Sequence, residues 1–215
     1  MVTGENKEKL RQLARELKTS IYVVMFAVFN MLMSRLSGQE EVVTAILGSG
    51  RDHVLLHNIV GFFVNTIILK NRVDQEEEFI NFLKSINKKT MKAIQYQNYP
   101  IELVLEDSKI RFPRLPILFD MFNIDNRAEK QELKDLSSFH IREVQEVKFD
   151  MMVLAYEYKN GIEVYCHYKK ELFEKENVEY MMRKYNRLLV DTTKDPTQKI
   201  KHYLFEKKKK RIALN

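Results

Sequence analysis

Apolar residues recur along this chain in two patterns, one typical of helices and one typical of strands. In four stretches they return every three or four positions, which predicts helices at residues 6–18, 76–97 and 174–193 and in a stretch ending near residue 36. Short apolar runs predict six strands, at residues 41–47, 64–69, 117–123, 139–144, 149–158 and 162–168. A brief helical turn is predicted at residues 101–105, directly after Pro100.

The second helix is apolar on nearly every side. Thr19 or Ser20 is placed to cap its first turn, and Gly38 to end it. A surface helix would keep a polar face, so this helix is predicted to be central and covered on several sides.

Turn and loop residues complete the prediction of the fold. Asn160-Gly161 favours a type I′ hairpin between the last two strands. Two prolines in residues 111–116 exclude a helix there, and residues 124–148 are polar with one weak strand. The order of elements predicts an α/β layer structure, with a mixed or antiparallel sheet packed with helices and no regular βαβ winding.

The net charge of +6 comes from one end of the chain. Residues 199–215 contain seven lysines and arginines and one glutamate, so the net charge of residues 1–198 is zero. Residues 1–198 have no net positive charge that would bind nucleic acid, so nucleic acid is not expected as a partner. Residues 199–215 are predicted to be a basic linker or tail.

Composition and apolar runs predict a cytoplasmic protein without a membrane span. The longest apolar run, residues 21–29, has nine residues, whereas a transmembrane helix needs about 20. The first residues are polar and lack the apolar core of a signal peptide. The single cysteine, Cys166, excludes an intrachain disulfide and fits a reducing compartment.

Three short patterns could form a metal, nucleophile or phosphate site, but each is better explained by a structural role. His53 and His57 are four residues apart, but their neighbours do not complete a metal-ligand set, so no metal site is predicted. Cys166 alternates with apolar residues and is interpreted as a small core residue. Gly48-Ser49-Gly50 lacks the lysine and the following helix of a phosphate loop.

Another group of residues could either line a cleft or hold the fold together. Arg51 stands in a glycine-rich turn, where it could pair with a carboxylate bidentately or remain a solvated surface residue. Asn65 and Asn123 lie in apolar strands, as structural pins or as cleft-lining residues. The loop Gln97-Asn98-Tyr99-Pro100 could cap the helices around it or line a channel.

Four motifs follow one another along the chain, and together they carry a family resemblance. They are Ser34-Arg35-Leu36-Ser37-Gly38-Gln39, Gly50-Arg51 with Val60-Gly61-Phe62-Phe63-Val64-Asn65-Thr66, Gln97-Asn98-Tyr99-Pro100-Ile101-Glu102, and Arg114-Leu115-Pro116 through Met121-Phe122-Asn123. They resemble SRxSGQ, GR…VGxFVNT, HQDYPFE and RSPLFxxMFN of nonribosomal peptide synthetase condensation domains. Tyr96 and Asn98 replace the family's usual His and Asp. The resemblance covers residues 6–205 and corresponds to the C-terminal half of the domain.

The resemblance implies one lobe of a two-lobed, chloramphenicol acetyltransferase-like fold, in the superfamily of CoA-dependent acyltransferases. In that fold two α/β lobes form a V, with the active site in the tunnel between them. Residues 1–198 would be the C-terminal lobe, and residues 124–148 a crossover segment to the other lobe. The family's catalytic motif, HHxxxDG, belongs to the N-terminal lobe and does not occur in this sequence. No catalytic residue is therefore expected in this chain.

The implied reaction is peptide bond formation. Two carrier proteins present phosphopantetheine thioesters at opposite ends of the tunnel, and the acceptor amine attacks the donor carbonyl. The second histidine of HHxxxDG positions or deprotonates the amine. The chain is expected to bind no cofactor of its own and to be inactive alone.

The resemblance also assigns roles to individual residues. Arg51 would pair across the lobes with the aspartate of HHxxxDG, and Asn123 would line the tunnel near the reaction centre. Asn65 and Thr66 would be structural. Gln97-Asn98-Tyr99-Pro100 would lie near the tunnel or the carrier-docking face.

The implied partners are the N-terminal lobe, peptidyl or aminoacyl carrier proteins and an adjacent adenylation domain. The isolated chain is also expected to self-associate if strand edges in residues 124–148 are unpaired. Three alternatives stay open at this point: a carrier-docking module without chemistry, a lobe of an epimerisation or heterocyclisation domain, and a CoA-dependent acyltransferase.

Overall fold

The computed structural model describes residues 2–107, 117–123, 140–144 and 149–203. The helices are α1 Gly4–Glu16, α2 Ile21–Ser37, α3 Phe79–Gln95, α4 Ile101–Asp107 and α5 Lys175–Lys194. The strands are β1 Val2–Thr3, β2 Glu41–Gly48, β3 Asn65–Arg72, β4 Ile117–Asn123, β5 His140–Val144, β6 Met151–Tyr158 and β7 Gly161–Lys169. Every predicted helix and strand is confirmed with small shifts at its ends, whereas β1 was not predicted.

Within the described ranges, seven strands form one mixed sheet in the order β1-β7-β6-β4-β2-β3, and β5 also pairs with β7. β2 and β3 are antiparallel, as are β6 and β7. Between these two pairs lies β4, which runs parallel to both β2 and β6. The sheet and its packed helices confirm the predicted α/β class.

The apolar helix α2 lies at the centre of the core, as predicted. The Ser20 hydroxyl caps its first turn, and Gly38 ends it with a left-handed φ of 74°. α2 contacts three other helices and strands β2 and β4. Its rings Phe26 and Phe29 lie 5.7 and 5.0 Å, between centroids, from Phe119 of β4.

Strand residues alternate between two faces of the sheet. The helix face carries fully buried side chains, such as Phe119, Val153 and Val164, beneath the helices. The opposite side is called the second face below. On β4, β6 and β7 it carries Asp120, Phe122, Leu154, Tyr156, Glu163 and Tyr165. A smaller apolar cluster of the second face joins Ala45 and Leu118 to Ile101 of α4.

The β6–β7 hairpin is present, but the predicted turn is wrong. Tyr158 pairs with Gly161, so Lys159 and Asn160 connect the strands. Among the described residues, positive φ angles occur at Lys18, Gly38 and Gly50. The turn is therefore not type I′. The register keeps Ile162 and its apolar alternates on the helix face, and this burial decides the turn position.

The folded body continues past residue 198, where the sequence placed the start of a linker. Ile200 is fully buried and donates its N–H to Glu77 O at 2.9 Å. The buried Tyr203 ring packs edge-on against Phe79. The boundary is thus corrected to Tyr203 or beyond, while residues 204–215 lie outside the described ranges. So do residues 111–116 and, apart from β5, the predicted crossover segment.

In the part of the chain that the structure describes, no single helix is long and apolar enough to cross a membrane, although α1 and α2 taken together, bent by 101°, meet the same criteria.

Candidate functional site

The carboxyl ends of β2 and β4 lie at the same edge of the sheet, because these strands are parallel. The antiparallel β3 begins at that edge. The loop that follows Gly48, the first residue of β3, Asn65, and the last residue of β4, Asn123, therefore meet there. This edge gathers the residues that the sequence singled out.

Hydrogen bonds hold four of the six predicted site residues, Asn65, Gln97, Asn98 and Tyr99, to one another or to the loop that follows β2. Gln97, which is buried, accepts a bond from Gly50 N at Oε1, 3.1 Å away. Asn65 Nδ2 donates to Gln97 O at 2.8 Å and to Tyr99 O at 3.0 Å. Asn98 Nδ2 donates to Asp52 Oδ2 at 2.6 Å, next to Arg51. The loop between α3 and α4 is thereby fixed to the ends of β2 and β3.

Gly50 is required for this network by its backbone geometry. Its φ of 62° is left-handed, and a Cβ at this position would run into Phe63 O. Side chains other than glycine are strained in that conformation. The glycine therefore sets the path of the loop and the direction of the N–H that Gln97 accepts.

Gly50→Ala is expected to lower the free energy of unfolding by about 2–4 kcal/mol, because it adds left-handed strain and breaks the bond to Gln97. Gly38→Ala is the matched control, since Gly38 has a φ of 74° and no atom lies within 4 Å of the position that a Cβ would take there. It should cost about 1 kcal/mol. Urea denaturation measures both changes. Equal losses would mean that the contact with Phe63 has no energetic weight.

Arg51 stabilises its own loop. Its Nη1 donates to Leu56 O and, at 2.9 Å, to Ile59 O, and Nη2 donates to Gly61 O at 3.3 Å. The guanidinium also lies 4.4 Å from the centre of the Phe63 ring. Within the described ranges no carboxylate forms an ion pair with Arg51. Its predicted pairing across the lobes stays a prediction.

The loop that Arg51 holds presents apolar side chains to solvent. The side chains of Val54, Leu55, Val60 and Phe62 are 75%, 73%, 100% and 91% exposed. A fixed loop that exposes a group of large apolar side chains is typical of a surface that another protein covers. These four residues are called the apolar tip below.

The two histidines and the cysteine have structural roles. His53 Nδ1 accepts a bond from Leu55 N at 3.3 Å, and His57 Nε2 lies 3.1 Å from Arg51 O. Among the described residues no group of three His, Cys, Asp or Glu side chains could hold a metal ion. Cys166 is fully buried on the helix face, and this burial raises the pKa of its thiol to about 12.

Sequence reasoning missed one residue of this edge, Asp120. Its carboxyl is 8% exposed on β4, three residues before Asn123, and burial raises its pKa to about 6. A charged residue inside the apolar run 117–122 was the available signal, because buried carboxylates are costly without a partner. Asn123 itself is exposed at the end of the strand.

The sequence matches the family model of the condensation domain over residues 2–214. The chain belongs to the condensation-domain family. One relative is surfactin synthase subunit 1 of Bacillus subtilis (strain 168), which is 30% identical over 201 residues. The match spans 92% of this chain and 6% of the relative, so this condensation-domain sequence corresponds to a small part of a nonribosomal peptide synthetase subunit.

Solved condensation domains share the fold. A four-domain nonribosomal peptide synthetase bound to AMP and glycine gives a TM-score of 0.80 at 22% identity, over 93% of this chain and 17% of that one. The first condensation domain of the CDA synthetase gives 0.73 at 13% identity, over 94% of this chain and 46% of that one. The predicted fold class is thus confirmed, and this condensation-domain chain matches a little under half of that solved domain.

Proposed function

We propose that this chain is the C-terminal lobe of a condensation domain and forms one wall of the tunnel in which a peptide bond is made. Support comes from the family match and from the share of a solved condensation domain that the chain covers, 46%. The sequence contains no HHxxxDG motif. The histidine that positions or deprotonates the acceptor amine would therefore come from the other lobe.

The observation that carries this proposal is the position of the apolar tip. It projects from the sheet edge where Asn65, Gln97 and Asn123 lie, and Arg51 fixes the loop that bears it. Burying such side chains against a partner gains about 25 cal/mol for each Å² removed from water. The N-terminal lobe is the partner that the proposal places there.

Arg51 also has donors left for the second lobe. A guanidinium has five N–H donors, and three of them bond to carbonyls of the Arg51 loop. Among the described residues, Nε and one Nη2 hydrogen have no acceptor. A carboxylate can accept two parallel bonds from this side of a guanidinium. We infer that the aspartate of HHxxxDG binds there and couples the lobe interface to the apolar tip.

The proposed substrates are thioesters on the phosphopantetheine arms of carrier proteins. They and an adenylation domain are the proposed neighbours, because the relative is a nonribosomal peptide synthetase subunit of which this chain spans 6%. The chain's own contribution is positional. Its edge network fixes the wall of the tunnel, and no proton transfer is assigned to any of its side chains.

Reconstitution tests the proposal. The chain is mixed with two loaded carrier proteins, with and without a separately produced N-terminal half of a condensation domain that contains HHxxxDG. The chain alone should form no dipeptide above background. The added half should raise the rate at least about 100-fold, a typical contribution of a positioned general base. Clear turnover by the chain alone would contradict the proposal.

The same mixture tests the apolar tip. Phe62→Asp should weaken binding of the N-terminal half by about 30-fold or more, as expected for a buried aromatic hot spot. Leu172→Asp is the control, because Leu172 is 41% exposed beyond β7, at the opposite edge of the sheet. Calorimetry measures both affinities. Equal affinities for the two variants would place the lobe contact elsewhere.

A further inference from the structure

The first turn of α3 is completed by a distant part of the chain, residues 195–203, called the strap below. The N–H of Phe79 donates to Gln198 O at 3.0 Å. The N–H of Ile80 donates to Pro196 O at 2.8 Å. A helix has no partners of its own for its first N–H groups, and the N-cap residue of α3 makes no side-chain bond to them. The strap therefore serves as the cap of α3.

The strap is also held to the residues just before α3. Ile200 N donates to Glu77 O at 2.9 Å. The side chains of Ile200 and Tyr203 are buried, and the Tyr203 hydroxyl donates to Asp195 O at 2.6 Å, which closes the strap on itself. Main-chain bonds and burial thus fix the strap, so its attachment does not depend on exposed ion pairs.

A family motif to which the proposed function gives no role binds the strap from another side. Arg35, near the end of α2, belongs to the motif that ends at Gln39. Its Nη2 donates to Lys201 O at 2.6 Å and to Ile200 O at 3.4 Å. Hydrogen bonds from a charged donor are roughly twice as strong as those between neutral groups. Arg35 therefore joins the strap to α2.

The other end of α3 lies at the sheet edge of the candidate site, called the site edge below. Gln97 follows the last residue of α3 by two positions, and its N–H donates to Ile94 O at 3.1 Å. Gln97 Oε1 accepts the N–H of Gly50, and Gln97 O accepts a bond from Asn65. The helix therefore continues directly into these bonds. The strap and the site edge hold opposite ends of one helix of 17 residues, about 25 Å apart.

We propose that the strap, α3 and the bonds of Gln97 form one cooperative unit, so that release of the strap loosens the site edge. Proteins open locally in units of contiguous elements, and helix formation is cooperative, so a helix that loses its cap at one end is less stable along its length. The device rests on the proposed function for its consequence, because a loosened site edge is a loosened tunnel wall. A domain attached after the strap acts on the tunnel wall through this unit.

Amide hydrogen exchange of the full chain, followed by NMR, tests the unit. Arg35→Gln removes the guanidinium bonds to the strap, so the Phe79 amide should exchange at least about tenfold faster. One opening exposes every member of a cooperative unit, so the amides of Gly50 and Gln97 should accelerate by the same factor. The amide of Tyr165, in the β6–β7 hairpin, should not change.

Two further variants separate strap release from other effects. Tyr203→Ala removes the ring that packs on Phe79 and should give the same pattern as the arginine change. Thr197→Ala is the matched control, because the exposed Thr197 hydroxyl donates to Asp195 within the strap. It should change exchange at neither end of α3.

Coupling is reciprocal, so a change at the site edge must reach the strap. Gln97→Ala removes the acceptor of Gly50 N and should accelerate the Phe79 amide. Faster exchange at Phe79 without any change at Gly50, in either strap variant, overturns the proposal. So does unchanged exchange at both, or a Gln97→Ala chain that leaves Phe79 unaffected. Exchange needs neither carrier proteins nor the N-terminal half, so this failure leaves the reconstitution result standing.

Discussion

Asp120→Asn is expected to raise the free energy of unfolding at pH 8 by up to about 3 kcal/mol. Burial raises the pKa of the Asp120 carboxyl from its ordinary 3.8 to about 6. At pH 8 the wild-type chain therefore keeps a buried charge that the unfolded chain would solvate. Each pKa unit corresponds to about 1.36 kcal/mol, which sets the upper limit. Asparagine removes the charge and keeps the side-chain shape.

The pH dependence fixes the sign of this effect. Between pH 4 and pH 6 the folded chain binds more protons at Asp120 than the unfolded chain does, so stability falls as the pH rises. The stabilising contribution of the protonated carboxyl is complete below about pH 4 and lost above about pH 6. The difference between wild type and Asp120→Asn should grow across this window and then level off.

Urea denaturation of both proteins from pH 4 to pH 8 measures the difference, and subtraction cancels groups common to both. Asp150→Asn serves as the control of opposite sign. It should destabilise the chain, because Lys169 then loses the carboxylate 2.8 Å away. A constant difference between wild type and Asp120→Asn over the whole range would show that Asp120 carries no buried charge.

Phe119→Ala is expected to lower the free energy of unfolding by about 3–5 kcal/mol, a large part of the stability of a domain this size. Phe119 is fully buried, and its ring lies between helices α2 and α5. The rings around it, at 5.0 to 6.3 Å between centroids, are Tyr22, Phe26, Phe29 and Tyr185. Truncation removes these contacts and leaves a cavity that the sheet and helices cannot close.

Phe122→Ala is the control for this change. Phe122 is on the same strand but on the second face, where it is 38% exposed. It should cost less than about 1.5 kcal/mol, because only part of its surface leaves water on folding. Thermal and urea denaturation compare the two variants. Similar losses would show that the aromatic cluster is not the main anchor between α2 and the sheet.

Most of the fold could be predicted because the buried face of a helix or strand gives its apolar residues a regular spacing along the sequence. The nearly all-apolar sequence of α2 predicted a central helix, and Ser20 and Gly38 predicted its ends. The hairpin turn was wrong, because the local preference of Asn160-Gly161 lost to the register that buries Ile162 on the helix face. The linker boundary was wrong for a similar reason, since Ile200 and Tyr203 find their contacts on residues 77–79, far away in sequence.

The candidate site also combines residues that the sequence predicted with contacts that only the structure shows. Arg51, Asn65 and the loop 97–99 were recognised from their residue types and motifs. The structure joins Asn65, and Gly50 next to Arg51, to that loop by hydrogen bonds. Their partners could not be predicted, because the bonds cross 32 to 47 positions of sequence. Asp120 was passed over, because its burial and its single hydrogen bond among the described residues, from the adjacent Met121 N–H, are visible only in the tertiary structure.

The sequence by itself determined the helices and strands, the α/β class and the residues of the family motifs, because each depends on the spacing of side chains along a few turns or a single strand. The tertiary structure alone decided which strand ends meet, how Arg51 directs the apolar tip, and that the Asp120 side chain is buried. Those features depend on the order and register of strands from distant parts of the chain, which local spacing does not encode.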